Sequence, residues 1–481
     1  MSFWRGNNTL KVSAELFAQN RRRLFDALKD KKLPSGSVVL LQGGNESTRY
    51  NTDAEELAFR QESYFFWTFG VHEPGCFGLL ELDSGKSVLF PPKLHADFAI
   101  WEGRINPEKW FLEKYKVDDV KFHEGTVIHD YLKSNDAKKL YLLKADNTDS
   151  GKTLQPADFS GINNFERDDE LLYPVIAELR VFKTDLELEV LRYASKIASE
   201  AHKEVMRKIQ PTMYEYQMES LFRHISYYTG GCRHIAYTCI AASGENAAIL
   251  HYGHSGSPND RKINDGDLCL FDMGPEYNCY ASDVTCSFPS NGKFTEKQKI
   301  IYNAVLDARN VVFESAKPGV RWTEMHLLAE RTILKHLLGA KIVEGDVEEM
   351  LKARVGAIFM PHGLGHFMGQ LWVCIVISLE FDALPRSTEP GLKSLRTTRT
   401  LQERMVITIE PGCYFIDTLL DKALNCPVQS KFLNKTAIDG YRGFGGVRIE
   451  DDVIIWTKGN ECMNNVPRTI GEIEEFMKNR N

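Results

Sequence analysis

The hydrophobic pattern changes period along the chain, and the changes separate two regions. Near the start, Phe17, Leu24 and Leu28 fall at helical spacing around an Arg21, Arg22, Arg23 run that should face solvent. The apolar run Ser37–Gln42 reads as a strand buried on both faces, and residues 88–90 and 140–143 look alike, with a helical stretch near 111–115 between them. This alternation predicts a mixed α/β domain over residues 1–175, followed by a linker at 176–183. Arg60, Glu62 and Trp67 read either as part of a partner surface or as ordinary face and core positions. A second unit, 184–481, opens with Thr184 and Glu187, the signature of a capping box. Behind it run Leu188, Leu191, Ala194, Ala198, Ala201 and Val205 as one helical stripe. Thr212 with Glu215 predicts a second helix stopped by Gly230 and Gly231, and Thr295/Gln298 and Asp346/Glu349 repeat the capping pattern. Residues 235–240, 406–409 and 447–449 are strand-like, and beyond about residue 380 strand and turn should dominate. Two helix pairs, each followed by strand-rich sequence, suggest an internal duplication. The fold class is α/β, of the α+β kind.

One hairpin stands out. Leu268–Asp272 and residues 281–288 are strand-like, with turn-prone Gly274, Pro275 and Asn278 between them. A turn centred on Tyr277 and Asn278 would set Asp272 directly opposite Asp283. Like charges facing each other across a ladder are destabilising, and a cation between them is the simplest remedy.

Composition narrows the classes. A chain of 481 residues should hold two or three domains, and 43% hydrophobic and 26% charged residues are ordinary for a soluble protein. A net charge of −7 argues against nucleic acid or an anionic membrane as the main partner. The ten cysteines include no C-x-x-C pair and read as reduced thiols. The first residues, MSFWRGNNTLK, lack the signal-peptide pattern, and no apolar run approaches the roughly 18 residues of a membrane span. A cytoplasmic protein is expected.

Five positions of the second unit share a chemistry: Asp272, Asp283, His366, Glu410 and Glu450. Period two puts Thr408 on the face of Glu410, and Arg448 on that of Glu450. Singly, each acid reads as a solvated strand end, His251 and His362 as core histidines, and Arg396 as a surface ion pair. Together, four buried carboxylates are untenable without compensation, which two divalent cations would supply. Oxygen-rich ligation with one imidazole suits Mn²⁺, or another hard to borderline ion, better than structural zinc. Two such ions roughly 3.5–4 Å apart can share a hydroxide nucleophile and polarise a carbonyl.

The ordered motifs HYGH (251–254), FDMG (271–274), ASDVTCSFP (281–289), MPHGLGHF (360–367), EPG (410–412) and GGVRIEDD (445–452) carry a resemblance. The chain resembles the pita-bread metallopeptidase family, and within it the branch that cleaves Xaa-Pro dipeptides. The resemblance spans nearly the whole chain and implies a creatinase/aminopeptidase P-like N-terminal domain before a pita-bread catalytic domain. It also implies a homodimer with two Mn²⁺ ions per subunit, acting on Xaa-Pro or Xaa-hydroxyproline dipeptides by attack of a metal-bridging hydroxide. By the family pattern Asp272 chelates one ion, Asp283 and Glu450 bridge both, and His366 completes one shell. Glu410 ligates metal and handles the nucleophile's proton. His362 stands at the site's edge, His251 on the substrate side, Tyr237 lines the pocket, and Arg396 grips the dipeptide's carboxylate.

The match breaks at residues 370–388, where an apolar stretch replaces a polar loop that carries a histidine in the family; Val373 stands about where it would fall. Losing such an oxyanion donor typically costs about 10²–10³ in kcat. A reading-frame slip or misplaced exon boundary produces such a patch, and so does divergence toward a weakened enzyme. The competing reading is therefore a catalytically impaired, or non-catalytic, pita-bread binding protein. Pro275 and Glu403–Arg404 are smaller departures, each replacing a glycine-containing turn.

Overall fold

The computed structural model describes residues 2–6, 8–54, 58–147, 149–369 and 385–479. Two units divide at Glu187 and Leu188. In the first, six strands order as β6-β5-β1-β2-β3-β4: β1 (Ser37–Gln42), β2 (Phe77–Glu81), β3 (Ser87–Phe90), β4 (Asp119–Val120), β5 (Lys139–Leu142) and β6 (Glu166–Asp168). The apolar run of β1 is continuous because both faces are covered. Val39 and Leu41 join Leu24 and Leu28 of α1 (Glu15–Lys29), while Val38 and Leu40 pack with Ile128 and Leu132. Trp67, in α2 (Ser63–Phe69), is buried, and the Glu62 carboxylate caps that helix by accepting from the Tyr64 and Phe65 N–H groups. Arg21 corrects the expectation of a solvated arginine run. It is buried, with its guanidinium donating to the carbonyls of Thr68 (3.0 Å) and Lys116 (2.6 Å). The stretch 176–183, read as a linker, lies largely in α3 (Leu172–Val181).

The second unit begins along α4 (Asp185–Lys208), whose capping box forms as expected: Thr184 N–H donates to Glu187 Oε2 and Glu187 N–H to Thr184 Oγ1. The next helix, α5 (Glu215–Gly230), is capped differently. Gln217 Oε1 accepts the Tyr214 N–H, and Thr212 lies outside with φ +81°. Gly231, at φ +68°, ends it. Beyond residue 380 the chain is less purely strand and turn than expected, since Asp417–Leu424 and Ile470–Lys478 are helical.

Each helix pair is followed by an antiparallel three-stranded sheet. The first joins β7 (Ile240–Ser243), β8 (Leu268–Asp272) and β11 (Thr285–Pro289), and between β8 and β11 the chain makes a small hairpin, β9 (Pro275–Tyr277) with β10 (Tyr280–Ala281). Its register differs from the expected one. Asp272 pairs with Thr285 and Tyr277 with Tyr280, so the loop is Asn278–Cys279, at φ +48° and +62°. Both central residues are left-handed, as a two-residue type I′ loop requires. Tyr277 is instead a buried strand residue whose ring packs on Tyr193 at 4.6 Å. A two-residue displacement preserves side-chain parity, so Asp272 and Asp283 still share a face, diagonal rather than opposite.

Helices α6 (Glu296–Ser315) and α7 (Trp322–Gly339) precede the second sheet, in which β12 (Val406–Ile409) pairs with the later strand β15 (Asp451–Trp456). Between them β13 (Gly412–Tyr414) pairs with β14 (Gly446–Arg448). Residues 364–368 run along the free edge of β12: Glu410 N–H donates to Leu364 O, Thr408 N–H to His366 O and Met368 N–H to Val406 O, each at 2.9 Å. Thr408 pairs with Asp452 and Ile409 with Asp451, and the same register one step further brings Glu410 opposite Glu450. The like-charge cross-strand pair inferred for the aspartates occurs here instead.

Candidate metal centre

A cavity of about 500 Å³ in the second unit is lined by all nine residues singled out from the sequence: Tyr237, His251, Asp272, Asp283, His362, His366, Arg396, Glu410 and Glu450. Ligand-type atoms of Asp283, His366 and Glu450 lie within 4.8 Å of one another. His366 Nε2 is 3.3 Å from Asp283 Oδ2 and 3.6 Å from Glu410 Oε1. His366 sits there because residues 364–368 form an edge strand, and its own N–H donates to Thr408 Oγ1 at 3.0 Å. Tyr237 falls in a break between the strand pieces His234–Ile235 and β7, not within one strand, and its hydroxyl donates to Asp272 Oδ1 at 2.7 Å. Of the nine, His251 is solvent-exposed, while Tyr237, His362, Arg396 and Glu410 are half-buried and the remainder buried.

Several members of the site escaped the sequence. Arg448, 4% exposed, donates from Nη2 to Asp272 Oδ2 at 2.6 Å and from Nη1 to the Tyr414 hydroxyl at 2.7 Å. That hydroxyl is 3.0 Å from His362 Nε2, while His362 Nδ1 faces Gly363 O at 2.8 Å. Thr285 Oγ1 donates to Glu450 Oε2, and the Asp452 carboxylate accepts the Asp283 N–H and the Ser195 hydroxyl. Arg468 holds the strand ends together, donating to Thr285 O, Glu450 O and Asp451. The alternation that put Arg448 on the face of Glu450 was the available signal for the first of these. Its contact with Asp272 joins residues 176 apart in sequence, which no local pattern reports.

Burial dominates the electrostatics. It pushes the Asp283 carboxyl up to about 8, with Asp272 beside it adding to the rise. Glu450 is raised well above its usual range by burial, then by Asp283, and Glu410 is raised by burial too. The imidazoles move the other way: burial, then Arg396, brings His366 down to about 4, and burial, then Arg448, brings His362 down to about 3. Both rings are therefore neutral at pH 7. For His366, the carbonyl of Phe367 lies 3.1 Å from Nδ1 and fixes the proton there, so the Nε2 lone pair faces carboxylate oxygens. A lone pair facing carboxyl oxygens calls for positive charge between them, a proton on Asp283 when metal is absent or a metal cation in its place. Four carboxylates and one imidazole, with Arg448 donating a cationic hydrogen bond to Asp272 Oδ2, are a donor set that fits hard to borderline divalent ions.

Architecture and donor set together define a metal-dependent hydrolase site, and the chain belongs to metallopeptidase family M24, whose pattern it matches over residues 189–456. Residues 17–141 match the N-terminal domain of aminopeptidase P, so the two-part α/β architecture, with a pita-bread catalytic domain, is that of the family. The chain is 54% identical to the Xaa-Pro dipeptidase of Homo sapiens across 99% of its own length and 96% of that protein. It is 33% identical to a probable Xaa-Pro aminopeptidase of Fusarium vanettenii, across 95% and 96%. Among solved structures, Zn-substituted E. coli aminopeptidase P in complex with product superposes with a TM-score of 0.76 at 28% identity, over 98% of this chain and 99% of that one.

Proposed function

We propose that the chain hydrolyses Xaa-Pro dipeptides with a free carboxyl terminus, using two divalent cations, Mn²⁺ in the cell, held by Asp272, Asp283, His366, Glu410 and Glu450. The observation that carries this reading is the convergence of those five side chains on a cavity that Arg396 also lines. The identity to the human dipeptidase over nearly the whole chain supports the same substrate class. Bound metal supplies Lewis-acid polarisation of the scissile carbonyl and lowers the pKa of water.

The protein's own residues do the rest. Glu410, raised by burial, accepts the proton of the attacking water and returns it to the prolyl nitrogen as the bond breaks. Tyr237 orients Asp272 through its hydroxyl, and Arg448 holds the other oxygen of that carboxylate. His362, kept neutral by burial, takes a hydrogen bond from Tyr414 and borders the reacting centre. The Arg396 guanidinium pairs with the substrate carboxylate, which selects a two-residue substrate. His251 flanks it at the cavity mouth. A prolyl amide has no N–H to donate, so recognition falls on the two charged termini.

The family resemblance alone carries the homodimer, and the absence of a membrane-length apolar helix among the described residues is compatible with a cytoplasmic setting. Residues 370–384, most of the loop that breaks the family pattern, lie outside the described residues. The competing reading of an impaired or binding-only protein has no support from the site, which keeps every ligand-type residue, or from the relatives. The test is hydrolysis of Gly-Pro by Mn²⁺-loaded protein, with metal content measured in parallel. Turnover that vanishes in Asp283→Asn is the expected result. No turnover with two ions bound per chain would refute the reading, and faster cleavage of Gly-Pro-Xaa tripeptides would reassign the substrate to longer peptides.

A further inference from the structure

The face of α7 turned toward the site carries a polar stripe in the interior. Trp322, His326 and Glu330 stand at i, i+4 and i+8, and all three are fully buried. Trp322 Nε1 donates to Gly365 O at 3.3 Å, next to His366. Glu330 Oε1 accepts from Arg354 Nη2 at 2.7 Å and lies 3.1 Å from His326 Nε2. Arg354, 8% exposed, turns the same guanidinium onto one carbonyl, that of Pro390, through Nε at 3.1 Å and Nη2 at 2.9 Å. Nothing in the proposed mechanism uses these charges. A buried ion pair is weak grounds for stability, because desolvation offsets most of the attraction. Its position is informative.

Pro390 and Gly391 form the corner from which the chain enters a single 3₁₀ turn, Leu392–Ser394, that delivers Arg396 to the cavity wall. Gly391 sits at φ +80°, and a side chain there would meet Arg354 Nη2 and Glu330 Oε1 at 3.0 Å, so the corner rests directly on the ion pair. At the far end, a Cβ on Gly363 would lie 2.8 Å from Leu395 Cα and Ser394 O, so the turn is pressed against the segment that holds His362. The lever from Pro390 to Arg396 is thus short and fixed at both ends. We propose that Arg354, braced by Glu330 and His326, is a positioning residue that sets Arg396 at the height of the substrate carboxylate and so determines the preference for dipeptides. This rests on the reading of Arg396 as the carboxylate grip. The guanidinium fork matters because two N–H groups on one carbonyl fix direction as well as distance, which an ammonium cannot do.

The test compares Gly-Pro with Gly-Pro-amide, which lacks the carboxylate, in Mn²⁺-loaded wild type, Arg354→Met, Arg354→Lys and Arg396→Ala. Arg354→Lys retains the charge against Glu330 and loses only the fork, so it carries the test where Arg354→Met fails to fold. Misplacing a binding group by about 1 Å costs up to about a hundredfold, so KM for Gly-Pro should rise between about tenfold and about a hundredfold in the Arg354 variants. Their kcat, and their turnover of the amide, should stay within about twofold of wild type, a split that loss of packing alone does not produce. An unchanged ratio of dipeptide to amide in Arg354→Lys, or an equal loss on both substrates, overturns the proposal. If Arg396→Ala itself keeps the wild-type ratio, Arg396 is not the grip and both readings fall. If only Arg396→Ala loses it, the function stands and the brace does not.

Discussion

Removing metal should make the Asp283→Asn variant more stable than the natural sequence at alkaline pH, and the size of the effect follows from the site. In the metal-free protein, burial raises the Asp283 carboxyl from 3.8 to about 8. A group raised on folding contributes stability that is fully present below its unfolded value and lost as pH climbs through its folded one. Over most of that interval other groups interfere. His362 and His366, lowered from 6.5 to about 3 and about 4, contribute stability that is present above pH 6.5 and lost as pH falls through those lower values. The clean window therefore opens at pH 6.5 and closes near pH 8. One pKa unit corresponds to 1.36 kcal/mol, so about 1.5 units represent about 2 kcal/mol, counted once because the site's carboxylates share their protons.

Lys183, in the first unit, is lowered by burial to about 7 and gives the opposite slope above that point, so the readout is the difference between two proteins that both contain it. Near pH 6.5 Asp283 is protonated in the folded state but ionised in the unfolded one, so metal-free Asp283→Asn, neutral in both, should already be more stable than metal-free wild type. Between pH 6.5 and pH 8 the variant's advantage should widen by about 2 kcal/mol, or roughly 4 °C in Tm for a unit of this size. With Mn²⁺ present the order reverses at both pH values, because the ion needs the ionised carboxylate and adds its binding energy to the folded state. Calorimetry on chelator-dialysed and Mn²⁺-reloaded protein measures all four states. A metal-free variant no more stable than wild type at pH 8 would show that the carboxyl is not held protonated by its surroundings, and the electrostatic case for a cation centre would fail with it.

Three further outcomes are expected. In Gly365→Ala, the new Cβ runs into the Thr408 carbonyl, so the edge strand that presents His366 must separate from β12; Mn²⁺ affinity by equilibrium dialysis should fall by about tenfold to a hundredfold. Tyr414→Phe leaves the buried ring but removes the hydroxyl between Arg448 and His362, and kcat should fall by about tenfold with little change in Tm. The Glu215 carboxylate, fully buried, accepts the Ser243 N–H and hydroxyl, the Tyr252 hydroxyl and the Arg261 N–H. Glu215→Ala strands those donors and should destabilise the protein by about 3 kcal/mol in urea unfolding, while raising KM because Tyr252 adjoins His251.

How much of this was legible depended on whether a signal was local. Capping boxes at Thr184 and Thr295 are written within four residues, and both form as expected. Thr212 offered the same letters, but Glu215 was already engaged as a buried acceptor for strand β7 and its neighbours, and Gln217 took over the cap. Arg21 looked solvated because its three consecutive charges were judged without the carbonyls of Thr68 and Lys116, which folding brings to it from 47 and 95 residues away. Arg404, at φ +68°, occupies a turn where the family has glycine, and nothing in its chemistry announces that backbone.

The site survived a wrong register for a physical reason. Parity along a strand, not exact pairing, decides which side chains meet, so displacing the Asp272 hairpin by two residues kept both aspartates on one face. The charge reasoning was attached to the wrong pair, since the acids that meet across a ladder register are Glu410 and Glu450. What parity cannot supply is the second layer. Arg448 faces the cavity by the same alternation as Glu450, yet its task is to hold Asp272, on a strand of the other sheet. A carboxylate lying within reach of a buried guanidinium binds a cation only if something fixes which oxygen each partner takes. Tyr237 on Oδ1 and Arg448 on Oδ2 do that for Asp272. The candidate ligands could thus be proposed from residue type and spacing, while their orientation had to wait for the fold.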